Sequence, residues 1–233
     1  MRVREFAKTV DHTLLKPDAT EQDIVRLCEE AGHYHFAAVC VPPCYVPLAA
    51  RELRGADVKV ATVISFPFGY DATAVKIAAV REAVTRGASE LDVVMNISKF
   101  LSGEFDYVAD ELASLTQEVS VVAMNNGLND VVVKVIIETA YLSDKMKRLA
   151  TQIVASSGAD FVKTSTGFGP AGATPEDVAL LREEAPESLA VKASGGIRTL
   201  EDALDILNAG ASRLGMSASV DVMKEAESGG LQE

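Results

Sequence analysis

Short apolar runs alternate with amphipathic stretches along most of this 233-residue chain. The runs are rich in valine, isoleucine and alanine, which is typical of buried parallel strands. They predict eight strands, at 10–14, 36–41, 59–65, 90–95, 132–138, 160–165, 189–194 and 212–216. Between most of them, apolar residues recur at helical spacing, as in the series Leu142, Met146, Leu149 and Ile153. The pattern therefore predicts an α/β protein with regular crossovers.

Helix boundaries are marked by residue type. Capping threonines followed by acidic residues predict helix starts at Thr20, Thr174 and Thr199. Glycines just before strands predict helix ends at Gly32, Gly87, Gly158 and Gly210. The intervals between these glycines suit pairs of βα units of roughly 30 residues each.

Eight strands without a break in composition favour one (β/α)8 barrel (TIM barrel), since such barrels typically have about 250 residues. We expect a single domain over 1–233, with a short N-terminal helix and a frayed end from about residue 224. A doubly wound open sheet is the structural alternative, but no GxGxxG motif follows the first strand.

Composition narrows the class of protein. The net charge of −12 argues against general binding to nucleic acid or to anionic membranes. No apolar run has the length of a signal peptide or a membrane span. The three cysteines are odd in number and lack a CxxC motif, so they indicate reduced thiols and a cytoplasmic protein.

Two lysines carry the strongest chemical signal. Lys163 and Lys192 lie in apolar strand segments 29 residues apart (192 − 163), at equivalent places on the sixth and seventh predicted strands. Inward lysines on neighbouring strands at roughly 6 Å would repel by about 3 kcal/mol, or about two pKa units. A lysine held beside another cation can lose its proton and attack carbonyl groups.

Charged residues on other strands suggest supporting roles. Asp92 lies in an otherwise apolar strand and either balances buried lysines or moves protons. Lys134 and Glu138 share one parity, which predicts a buried ion pair between them. Glycine-rich turns near the ends of late strands suggest a phosphate site built from backbone amides. The candidate phosphate-binding residues are Gly167, Gly195, Gly196, Gly215 and Ser217.

Other chemistries have less support. Catalysis by a metal ion needs several histidines around it, and only His12, His33 and His35 exist, so no metal or other cofactor is expected. We expect Cys40 to be a buried thiol, and Cys44 has no assigned role. The alternatives left open are a barrel sugar-phosphate isomerase without covalent attachment and a non-enzymatic module that binds phosphometabolites.

Several segments together resemble one family. These are the stretches around Asp11 (DHTLLKP), Cys40 (AVCVP), Asp92 (LDVVMN), Lys134 (KVIIET), Lys163 (FVKTSTGFG) and Lys192 (VKASGGIRT). They resemble the deoxyribose-phosphate aldolases over nearly the whole chain. Phe168 stands where some members of that family have a lysine that could reach the phosphate.

The resemblance implies a class I aldolase that cleaves 2-deoxy-D-ribose 5-phosphate to glyceraldehyde 3-phosphate and acetaldehyde. By analogy Lys163 would be the Schiff-base nucleophile, Lys192 would lower its pKa, and Asp92 would transfer protons through water. The five phosphate-site candidates would hold the phosphate group. The resemblance also implies a homodimer or a larger homo-oligomer.

Overall fold

The apolar runs form the strands of a closed barrel. In the computed structural model, which describes residues 1–128 and 130–232, the described residues form eight parallel strands. Each strand pairs with the next, and the eighth pairs with the first, which closes the barrel. This confirms the (β/α)8 fold and excludes the open sheet, while the single domain over 1–233 stays a prediction.

Each observed strand lies inside its predicted range, and the ends differ by two residues at most. The strands are β1 (Val10–Thr13), β2 (Ala38–Val41), β3 (Lys59–Ile64), β4 (Glu90–Val94), β5 (Val132–Ile136), β6 (Phe161–Lys163), β7 (Ala190–Ser194) and β8 (Arg213–Met216).

Helices cover the outside of the barrel, and a short N-terminal helix precedes β1 as predicted. Among the described residues the α-helices are α1 (Val3–Ala7), α2 (Glu21–Tyr34), α3 (Val46–Glu52), α4 (Thr73–Thr85), α5 (Ile97–Leu101), α6 (Phe105–Asn125), α7 (Asp144–Ser156), α8 (Pro175–Glu184), α9 (Leu200–Asn208) and α10 (Ser219–Glu225). No helix among the described residues combines the length and hydrophobicity needed to cross a bilayer.

The predicted helix starts are confirmed, but one predicted helix end is wrong. Thr20, Thr174 and Thr199 each accept a hydrogen bond from a backbone amide of the first turn. Gly32 lies inside α2, which continues to Tyr34 and ends at His35 in the left-handed conformation (φ 56°). Glycine can adopt helical backbone angles, and nothing lies within 4 Å of the place that a β-carbon of Gly32 would occupy. The glycine is therefore accommodated within the helix and does not mark its C-terminal end.

The predicted fraying after residue 224 is also wrong. A short π-helical turn follows α10 at Ala226–Gly230, and Leu231 packs against the core. Gln232 then pairs with Arg2, and its carbonyl accepts the amide of Val3 at 2.9 Å. The end of the described chain is therefore tied to α1.

One side of the barrel interior is lined by small side chains and the other side by charged ones. Strands β2 and β3 contribute Ala38, Cys40, Ala61 and Val63, a separate cluster of short buried side chains. This leaves room for long basic side chains from β5 to β8, which extend into the interior and meet carboxylates on β1 and β4. A polar cluster therefore occupies the space that branched apolar residues usually fill in such barrels.

Candidate active site

Lys163 and Lys192 lie side by side, as their spacing predicts. They are direct register partners on β6 and β7. Both side chains are buried, with Lys163 3% exposed. Residues in direct register on two paired strands point to the same face of the sheet. Both amino groups therefore lie on the same wall of the barrel interior. The two lysines therefore occupy matching inward positions on neighbouring strands, as the sequence predicts.

Asp92 joins the two lysines. Lys163 Nζ donates to Asp92 Oδ2 at 2.5 Å, and Lys192 Nζ donates to the same oxygen at 2.7 Å. Lys134 Nζ donates to the other oxygen, Oδ1, at 3.0 Å. Burial disfavours a charged carboxylate, but the neighbouring lysines outweigh it, Lys134 most strongly, and hold the pKa of Asp92 well below its usual value.

The pKa of Lys163 is lowered, but the main cause differs from the predicted one. Burial is the largest cause, because it removes the charged form from water. Asp92 acts in the opposite direction, and the charge of Lys192 adds a smaller lowering. Crowding by the second lysine therefore contributes, while desolvation dominates.

Lys192 and Lys134 remain cations. Burial lowers the pKa of each lysine, but neighbouring carboxylates outweigh it, so both pKa values lie above the ordinary value. Lys192 contacts Asp11 as well as Asp92. Lys134 lies 2.6 Å from a carboxylate oxygen of Glu90. Of the three lysines in the cluster, only Lys163 has its pKa shifted towards the neutral amine.

Three members of this charged cluster were missed as site residues. Asp11 is fully buried on β1, and its two oxygens contact Lys192 and Arg213. Arg213 on β8 also lies 3.2 Å from Glu90 on β4. The signal was present, since Glu90 shares parity with Asp92 and Arg213 sits in an apolar strand. Their pairing depends on how strands face one another across the barrel, which the sequence does not show directly.

The charge balance of the contact network favours a neutral Lys163. The network contains three carboxylates, those of Asp11, Glu90 and Asp92. It contains four basic side chains, those of Lys134, Lys163, Lys192 and Arg213. Buried charges are stable when they are paired. With Lys163 neutral the remaining charges cancel, whereas a protonated Lys163 leaves one cation in excess.

The predicted ion pair between Lys134 and Glu138 is wrong. Strand β5 ends at Ile136, and Glu138 adopts a left-handed conformation (φ 53°), so strand parity no longer applies there. Its carboxylate accepts hydrogen bonds from the amide and hydroxyl of Thr166 instead. Burial raises the pKa of Glu138, while the hydrogen bonds from Thr166 oppose the rise.

The glycine turns lie beside the lysine strands. Gly167 follows β6, and Gly195 and Gly196 follow β7; all three have positive φ values, of 85°, 87° and 83°. A β-carbon on Gly195 would come within 3.4 Å of Gly167 Cα, so the two turns touch. Ser217 is exposed just after β8. Together they place several backbone amides near the ends of β6 to β8.

Gly215 lies within β8 rather than in a turn. Its register partner is Ser194, at the end of β7. A β-carbon there would come within 3.0 Å of Ser194 Cβ and 3.4 Å of Lys192 Cε. The missing side chain therefore avoids a tight contact with Ser194 and leaves space beside Lys192 inside the barrel.

An aromatic cleft of about 270 Å³ opens beside Thr166 and Glu138. It is lined by the stacked rings of Phe68 and Tyr70 and by Phe168. Phe168 is 52% exposed and packs edge-on against Phe66, and its uncharged ring supplies no cation at this position. Polar and apolar surfaces thus meet at this side of the barrel mouth.

The remaining potentially reactive side chains lie in surroundings that suit a structural role. Cys40 is buried among small residues, and burial raises the pKa of its thiol to about 12, so it stays protonated. His12 pairs with Glu30 at 2.8 Å. No group of three or more histidine, cysteine or acidic residues in the described chain is arranged to hold a metal ion.

Comparison with known proteins gives consistent matches. Residues 6–224 match the family described as DeoC/LacD family aldolase. The deoxyribose-phosphate aldolase of Caldanaerobacter subterraneus subsp. tengcongensis is 52% identical over 226 residues, which cover 97% of this chain and 95% of the relative. That of a Thermoanaerobacter species is 51% identical over 220 residues, covering 94% and 96%.

A solved structure agrees in fold. The tetrameric deoxyribose phosphate aldolase from Aeropyrum pernix has a TM-score of 0.88 at 35% identity, covering 97% of this chain and 92% of that one. The closed eight-stranded barrel and the family match together define a (β/α)8 aldolase. The chain belongs to the DeoC/LacD aldolase family and is therefore a lyase.

Proposed function

We propose that this enzyme reversibly cleaves 2-deoxy-D-ribose 5-phosphate to D-glyceraldehyde 3-phosphate and acetaldehyde through an imine on Lys163. The observation that carries the proposal is the buried Lys163 amine, with its lowered pKa, between a carboxylate and a second lysine. Relatives of about 50% identity that carry the name deoxyribose-phosphate aldolase support the choice of substrate.

The reaction begins with the neutral amine. Lys163 Nζ attacks the C1 aldehyde of the open-chain sugar, and loss of water gives a protonated imine. A base removes the proton of the C3 hydroxyl, the C2–C3 bond breaks, and its electron pair moves into the iminium to form an enamine. Glyceraldehyde 3-phosphate leaves. Protonation of the enamine at C2 and hydrolysis then release acetaldehyde and restore Lys163.

Asp92 and Lys192 would manage the protons. Asp92 contacts Lys163 directly, so it can accept or return a proton at that nitrogen or through a water molecule. Lys192 remains charged beside it and supplies a fixed positive field that disfavours protonation of Lys163. Lys134 serves as a supporting residue, because it holds the second oxygen of Asp92 and thereby orients the carboxylate.

The phosphate would bind at the glycine turns. Gly167, Gly195, Gly196, Gly215 and Ser217 lie at the ends of β6, β7 and β8, next to the lysines. Backbone amides can hold a phosphate without a large positive patch. This suits a chain whose net charge is −12 and whose Phe168 adds no cation.

No observation on the described residues favours the isomerase alternative. We place the enzyme in the cytoplasm, because its three cysteines are free thiols. We also expect a homo-oligomer, in line with the tetrameric relative from Aeropyrum pernix.

Borohydride trapping tests the proposal. Reduction in the presence of acetaldehyde should add an ethyl group to the peptide that contains Lys163, as mapped by mass spectrometry. Lys163→Leu should show no adduct at that peptide, and wild-type protein should cleave the sugar phosphate in a coupled assay. Cleavage without a trapped adduct, or an adduct on a different lysine, would contradict the assignment of the nucleophile.

A further inference from the structure

Glu138 is a buried acid that the proposed mechanism does not use. It follows β5 by two residues and is 2% exposed. Its backbone is left-handed, with φ 53° and ψ 70°. Such a conformation costs roughly 1–3 kcal/mol in a residue other than glycine and persists where the surroundings fix it. The strain points to a specific task for the side chain.

The carboxylate of Glu138 organises the turn after β6. The amide of Thr166 donates to both carboxylate oxygens, at 3.1 and 3.3 Å, and the Thr166 hydroxyl donates to Oε2. The amide of Phe168 donates in turn to the Thr166 hydroxyl at 3.1 Å. A β-carbon on Gly169 would come within 3.0 Å of the same carboxylate. Residues 166–169 therefore wrap around one acid.

This turn contacts the glycine turn after β7. Gly167 lies against Gly195, and the amide of Ala173 donates to the carbonyl oxygens of Ser194 and Gly195 at 3.1 and 3.0 Å. A shift of the Thr166 turn would therefore move one side of the surface formed by Gly167 and Gly195. That surface is the place proposed above for the phosphate group.

We propose that Glu138 is a positioning residue for phosphate recognition: by holding residues 166–169 in place, it sets the preference for a phosphorylated over an unphosphorylated sugar. The inference rests on the proposed function. We assign Glu138 no direct phosphate contact, because its carboxylate accepts hydrogen bonds from Thr166 and two anionic groups repel each other. The hydrogen bonds of a carboxylate to an amide and a hydroxyl are charge-assisted, so they fix the turn more firmly than neutral bonds would.

The test compares 2-deoxyribose 5-phosphate with 2-deoxyribose in Glu138→Gln and Thr166→Val. The glutamine keeps the shape of the side chain and an oxygen that can accept the Thr166 bonds, but it removes the negative charge that strengthens them. The valine removes the hydroxyl donor. In both variants the ratio of kcat/KM for the phosphorylated sugar to that for the plain sugar should fall about tenfold, because the charge-assisted bonds that hold the turn are weakened or lost. The loss should appear in KM for the phosphorylated sugar. Thr166→Ser keeps the hydroxyl and should retain the wild-type ratio.

An unchanged ratio in the two variants would overturn the inference, as would an equal loss on both sugars, which would place Glu138 in the chemistry or in general stability. Should Glu138→Gln fail to fold, Thr166→Val decides on the same criterion, because it leaves the carboxylate in place. The failure of the proposed function looks different: the wild-type enzyme itself would then cleave neither sugar and trap no adduct on Lys163.

Discussion

Lys163 and Lys192 lie side by side on β6 and β7 and donate to the same oxygen of Asp92. Their two nitrogens therefore lie within about 5 Å of each other, where two positive charges repel by about 3 kcal/mol at an effective dielectric near 20. The single negative charge of Asp92 balances one lysine cation but not two. The arrangement keeps one lysine charged and favours the neutral amine on the other.

Lys163→Leu should abolish cleavage without lowering stability. A lysine whose pKa is lowered by burial costs free energy of folding at every pH below its ordinary pKa, and removing it leaves three cations for three carboxylates. We expect the free energy of unfolding to equal or exceed that of the wild type in urea titrations. A variant less stable by more than about 1 kcal/mol would show that Lys163 is needed as a cation.

Lys192→Leu should move the pH–rate profile to higher pH. Without its charged neighbour, Lys163 loses one cause of its lowered pKa, so a higher pH is needed to obtain the free amine. The ascending limb should therefore lie at higher pH in the variant than in the wild type. Measuring the rate of imine trapping with acetaldehyde from acid to alkaline pH gives this limb directly. A profile that superimposes on the wild type would rule out electrostatic coupling between the lysines.

The same variant should also be less stable at neutral pH. The pKa of Lys192 is raised in the folded protein, so its contribution to stability is present below its ordinary pKa and is lost as pH rises through the folded value. Replacing it leaves Asp11 and Asp92 each with one fewer cation. The free energy of unfolding should therefore fall in Lys192→Leu at pH 7, in contrast to Lys163→Leu. Equal stability of the two variants would argue against the charge balance described above.

Asp92→Asn should slow proton transfer more than imine formation. The carboxylate is a factor that raises the pKa of Lys163, so its loss should keep the amine neutral to lower pH while removing the proton acceptor next to it. Exchange of deuterium from solvent into acetaldehyde should fall by about 10²-fold or more, the usual contribution of a positioned acid or base. Adduct formation with borohydride should fall much less. An equal fall in both would assign Asp92 to imine formation instead.

A second buried ion pair offers a test of stability away from the site. Lys76 on α4 lies 2.6 Å from Glu111 on α6, and both side chains are fully buried. Lys76→Met leaves the Glu111 charge without its cation and should cost about 3–5 kcal/mol of unfolding free energy. The double variant Lys76→Met with Glu111→Leu should recover most of that loss, because no unpaired charge remains. A double variant as unstable as the single one would show that packing, rather than charge, sets the cost.

The fold and the lysine pair could be predicted because both depend on local periodicity. Apolar runs gave the strands, and equal spacing from strand to strand placed Lys163 beside Lys192. Asp11 was harder to place, since it lies 181 residues from its partner Lys192 and meets it only because β8 closes onto β1. Glu138 was misplaced because the strand ends two residues earlier, where alternation stops predicting direction. Burial is the main cause of the lowered Lys163 pKa, and it could not be predicted because it depends on the packing around the side chain.

The bare backbone at Gly215 has a consequence for protein design. Its hydrogen atoms face the methylene next to the Lys192 ammonium, where a methyl group would sit only 3.4 Å away. Grafting these lysines into another barrel would thus favour a glycine two residues along the adjacent strand, because an alanine there would crowd the neighbouring serine at 3.0 Å and press on the lysine. The placement of the transplanted cation would depend on a side chain that is missing from its neighbour.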